Sequence, residues 1–138
     1  MSLQNAKSEE KFMSHNAWLS VFMGITVLIV SIHPFVEGYE TIANFTFGIA
    51  FLGSFIMFCL QGGLKSKKLY MDYQNEFLST INTKAFKHSA YGLIGAFILA
   101  SIFSGNILAD VTHASMALIY LGIGSITYGL SLIWQSRG

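Results

Sequence analysis

The side chains best suited to chemistry in this chain are four histidines and three carboxylates that neighbour two of them. His15 and His88 occupy matching contexts, "FMSHNAW" (12–18) and "FKHSAYG" (86–92). Each reads phenylalanine, a short gap, histidine, a small polar residue, alanine and an aromatic ring. Two imidazoles at one depth on facing helices are what bis-histidine haem ligation requires. His33 and His113 are near Glu37, Glu40 and Asp110 in sequence. That mixed imidazole and carboxylate set suits a divalent metal, or a charge that changes with pH.

A plainer reading competes with both. All four histidines fall at the edges of long apolar runs, where an amphipathic ring can sit without holding a ligand. No resident cofactor is therefore expected; haem and a divalent metal are the two that the residue types allow. No serine-centred elbow or nucleophile–base pairing is visible, so the chain reads as non-enzymatic.

The elements that must position these residues follow from composition. Charged residues make up 11% of the 138 and hydrophobic ones 53%, against roughly 25% charged in soluble domains. Too few charges remain to cover a water-facing surface, and a mean hydropathy of +0.55 points to lipid as the solvent. Windows 12–36, 41–64, 88–109 and 111–136 contain no Asp, Glu, Lys or Arg. Each exceeds the roughly 20 apolar residues that a helix needs to cross the hydrocarbon core. The expected fold is an all-α integral membrane protein, a single four-helix domain with spans near 14–34, 42–62, 89–107 and 114–134. Pro34 and Gly38 close the first span, and the short outer segments make two antiparallel hairpins.

All eight Lys and Arg residues lie on one side of this topology: Lys7, Lys11, Lys65, Lys67, Lys68, Lys84, Lys87 and Arg137. The positive-inside rule makes that side cytoplasmic, with both termini there, in a bacterial inner membrane. Trp18, Tyr91 and Trp134 fall at the same boundary. Between the hairpins, segment 64–82 shows helical amphipathicity, with Leu69, Tyr73, Phe77 and Ile81 recurring every four residues. It can lie in the headgroup layer with Lys65, Lys67 and Lys68 on anionic lipid, or extend the second span toward a partner.

Small residues recur every four positions at Gly92, Ala96, Ala100 and Ser104, at Ala50 and Ser54, and at Ser125 and Gly129. Such stripes let membrane helices approach closely, within one bundle or between subunits. The matched histidine contexts extend to a loose parallel repeat, Trp18 to Lys65 against Tyr91 to Arg137. No charge falls deep in a span, which argues against proton-coupled export and voltage sensing. Thr26, Ser54, Ser101 and Thr127 either line a hydrated path in an oligomer or bond to their own helices. The lone Cys59 excludes an internal disulfide, and a net charge of +1 without a basic stripe gives no case for nucleic acid. The expected partners are the lipid bilayer and either further copies of the chain or a larger membrane complex. Three functions follow: a self-associating channel or transport path, an accessory subunit of the immunity or assembly kind, and a redox module holding haem or quinone.

Overall fold

A computed structural model describes residues 3–32, 41, 45–46, 48–50, 52–53, 56, 76–103 and 111–137. Regular structure among the described residues is helical throughout, with no strand. Three long helices stand out: α1 (Leu3–Ile32), α2 (Glu76–Phe103) and α3 (His113–Ser136). All three are long and apolar enough to cross a membrane, α1 through its Glu9–Ser31 portion. Residues 45–46, 48–50, 52–53 and 56 of the second expected span are also helical, as is residue 41 just before it. There Ala50 is buried, while Phe45, Ile49, Leu52 and Ile56, spaced along one helical face, are exposed.

The helices outrun the charge-free windows. α1 begins about ten residues before the first window because "LQNAKSEEK" contains no breaker and its residues tolerate a helix. A charge stops a membrane span, not a helix. α2 likewise runs without interruption through 83–88, which the hydropathy reading leaves between an amphipathic segment and the third span. Residues 76–91 hold neither glycine nor proline to end it. The two described members of the expected apolar stripe, Phe77 and Ile81, fall on different faces of the bundle. Leu78, Ile81, Asn82 and Ala85 are buried, whereas Phe77 is 62% exposed. α3 starts at a Thr112 N-cap, whose Oγ1 accepts from the Ser115 N–H at 3.2 Å.

Packing contacts define the register. Gly129 of α3 faces Ala17 and Val21 of α1, and Gly122 faces Leu28, so α1 and α3 run antiparallel. Gly92 of α2 faces Thr127 of α3, and Gly124 faces Leu93. With His88 bonded to Ser131 and Phe97 stacked near Tyr120, α2 is antiparallel to α3 as well. α3 therefore lies along both other helices, which scarcely touch each other. One end of the bundle gathers the starts of α1 and α2 and the end of α3. Lys7, Lys11, Lys84, Lys87 and Arg137 are all found toward that end, here called the basic end. Its apolar core is Met13 and Ala17 from α1, Leu78, Ile81 and Ala85 from α2, and Tyr128 and Leu132 from α3. Away from it the helices turn large apolar side chains outward, including Phe22, Ile94, Phe97, Ile98, Ile102 and Leu121. That surface suits lipid and not water.

Candidate functional site

Polar side chains concentrate at the basic end, around one tyrosine. Tyr128 is 6% exposed, with its ring 4.8 Å from that of Phe86. Its hydroxyl donates to Asn82 Oδ1 at 2.6 Å and accepts from Asn16 Nδ2 at 3.4 Å. One hydroxyl thus ties α1, α2 and α3 together where they converge. Sequence reasoning missed this joint because hydrophobic periodicity treats Asn16 and Asn82 as interruptions. The available signal was an asparagine within an otherwise apolar helical face.

One turn farther along α3 is a second polar group. Ser131, nearly buried, meets His88 Nδ1 through its Oγ at 2.6 Å and accepts from Gln135 Nε2 at 2.8 Å. Stepping from Ala17 against Gly129 brings His15 level with the same serine. His15 and His88 therefore share a depth on the two helices that flank α3. His15 is half-buried, and His88 has one ring nitrogen engaged by the serine. His113 stands exposed at the opposite end, as the first residue of α3. His33, Glu37, Glu40 and Asp110 lie outside the described residues, as do Lys65, Lys67 and Lys68. Among the described residues no three His, Cys, Asp or Glu side chains gather as a metal site.

Hydroxyls within the spans bond to their own helices. Thr26 donates to the Phe22 carbonyl at 2.9 Å, Ser101 to Phe97 at 2.9 Å and Thr127 to Ile123 at 2.8 Å. Ser89 crosses between helices, donating to the Gly124 carbonyl at 2.8 Å. Ser54 is outside the described residues.

The small residues divide into two groups. Gly129 and Gly92 are consumed inside the bundle, where an added Cβ would come within 2.5 Å of the Ala17 oxygen and 2.8 Å of Thr127 Cγ2. Ala50 is buried and Ser125 half-buried. Ala96 and Ala100 line an open apolar groove of about 290 Å³ between α2 and α3, with Leu99, Phe103, Met116 and Ile119. Next to this pair, Gly95 has open space where a Cβ would stand. Ser104 lies outside the described residues. No protein-family model, curated protein or solved structure matches this chain.

Proposed function

We propose that this chain is a non-enzymatic integral membrane protein that works by lateral association in the bilayer, first with its own copies. Any transport path then runs between protomers and not through one. The observation that carries this reading is the closed contact of α1 with α3. Glycines bring the two backbones together through the middle of the bundle, Gly24 against Gly122 and Gly129 against Ala17. The span hydroxyls add support, since those of Thr26, Ser101 and Thr127 donate to carbonyls of their own helices. Among the described residues, the groove beside Ala96 and the space at Gly95 leave an apolar helix surface that another helix can approach closely. In this reading the basic end faces the cytoplasm of a bacterial inner membrane.

Native mass measurement in lipid nanodiscs, paired with Ala96→Cys crosslinking in a Cys59→Ala background, tests it. A single defined oligomer crosslinked through residue 96 is expected. A strict monomer without crosslinks overturns the reading. One co-purifying protein captured stoichiometrically through residue 96 would replace it with an accessory, immunity- or assembly-type role.

A further inference from the structure

At the basic end, beyond the contact of Ala17 with Gly129, α1 and α3 leave a cavity of about 220 Å³. A water takes about 30 Å³ in the liquid, so the space holds a group several times that size. Its floor is apolar and buried: Met13 and Ala17 from α1 and Leu132 from α3. Its rim is polar and carries hydrogen-bond donors: Ser14, Ser136 and Arg137. Trp18 also lines it, 57% exposed.

Three features of the rim favour an anion. Among the described residues that line the cavity, Arg137 is the only charged one and none is a carboxylate. Among the described residues neither the Arg137 guanidinium nor the Ser14 hydroxyl has a protein partner. The Ser136 hydroxyl, by contrast, already donates to the Ile133 carbonyl at 3.0 Å. Lys7 and Lys11 continue the helical face of Ser14 and Trp18 outward, both exposed. Two carboxylates are on the same helix: Glu10, exposed one turn beyond Ser14, and Glu9, buried. Neither reaches the cavity lining.

An arginine at the rim with no partner among the described residues, an apolar floor and an indole beside them suit a ligand that is anionic at one end and greasy at the other. Arginine binds phosphate oxygens in bidentate fashion, and tryptophan favours the headgroup level of a bilayer. We propose that this cavity binds the phosphodiester headgroup of an anionic phospholipid. Arg137 holds the phosphate, Ser14 donates to one of its oxygens, and the glycerol and upper acyl atoms lie on Met13, Ala17 and Leu132. The proposal rests on the membrane reading above, and its test separates the two.

The full chain, in a Trp134→Phe background that leaves Trp18 as the reporter, is reconstituted in phosphatidylcholine nanodiscs. Phosphatidylglycerol is then titrated in. Retained lipid is counted by native mass spectrometry, and Trp18 emission is followed. Residence in the discs checks the membrane reading alone. One retained phosphatidylglycerol per chain is expected, with retention falling about tenfold in Arg137→Gln, the loss of one charge-assisted hydrogen-bonding partner. Ser14→Ala should weaken it less, and Lys7→Gln least. Arg137 is the exposed C-cap residue just past α3, so its variant should keep wild-type helicity by circular dichroism. Unchanged retention in both Arg137→Gln and Ser14→Ala overturns the lipid site while leaving the membrane reading intact. Inorganic phosphate that shifts Trp18 emission equally in pure phosphatidylcholine discs shows a site for free phosphate, and also overturns it. A chain that leaves the discs defeats both readings.

Discussion

Gly24 and Gly122 meet backbone to backbone. A Cβ on Gly24 would stand 2.7 Å from the Gly122 carbonyl oxygen, and one on Gly122 would stand 3.0 Å from that of Gly24. The side chains of Ile126 and Leu28 flank this contact, each packed on the glycine of the other helix. In a bilayer, where apolar side chains gain little by leaving lipid, such proximity supplies the dispersion contacts that hold helices together.

A graded alanine series follows. Gly129→Ala puts the new methyl 2.5 Å from the Ala17 oxygen, and Gly24→Ala puts it 2.6 Å from Ile126 Cγ1 and within 3 Å of two backbone atoms, the Gly122 oxygen and the Ile126 nitrogen. Gly122→Ala first meets the Leu28 side chain, which can move. The first two should each cost about 1–3 kcal/mol, and Gly122→Ala less. Gly95→Ala, with open space around it, should be close to neutral. Reversible unfolding in mixed micelles reads the order; equal costs at Gly24 and Gly95 would refute the seam.

Tyr128→Phe removes the hydroxyl shared by Asn16 and Asn82 and leaves the 8%-exposed Asn82 carbonyl without that donor. A cost of about 1–3 kcal/mol is expected. Adding Asn82→Leu should recover part of it, because both ends of the bond are then apolar. The coupling energy from the double-mutant cycle is the readout, and additivity would show the bond to be idle.

Ser131→Ala deletes the group joining His88 to Gln135. About 0.5–1.5 kcal/mol should be lost, and the His88 ring signals should shift in NMR spectra while those of His113 stay fixed. Protein purified from haem-replete cells is expected to show no Soret band. A band abolished by His88→Ala would revive the haem reading.

Thr112→Ala removes the cap of α3, where Oγ1 takes the Ser115 N–H at 3.2 Å. About 1 kcal/mol of stability should go with it. Hydrogen exchange should quicken in the first turn of α3 and remain unchanged near Tyr128; uniform acceleration would mean that the cap acts on the whole bundle.

Three of the four expected spans, 14–34, 89–107 and 114–134, overlap helices long and apolar enough for a membrane. These were legible because long runs without charge leave a helix few alternatives in lipid. Helix ends were not, since the charged stretch at Lys7–Lys11 and the polar one at Thr83–His88 allow a helix without demanding it. The pairing of helices was partly legible. Gly92 and Gly129 belong to a visible four-residue spacing, whereas Gly24 and Gly122 show only when read with Ala17 and Gly129 at seven-residue intervals. The joint at Tyr128 was hidden for a different reason. It depends on one asparagine from each of two helices far apart in sequence, and no local pattern encodes that meeting. The histidines show the same division: their shared level near Ser131 follows from the topology, but the bond of His88 to that serine does not.

The central place of α3 has a consequence for biosynthesis. α1 and α2 scarcely touch and are joined chiefly through α3, which follows both in chain order. In the membrane reading, α1 and α2 are therefore made before the α3 surface on which both of them pack. During that interval the glycine face of α1 and the Asn82 side chain of α2 lack their native neighbours on α3. Biogenesis of this protein should depend on insertase and quality-control factors that shelter early helices, more than its small size would suggest.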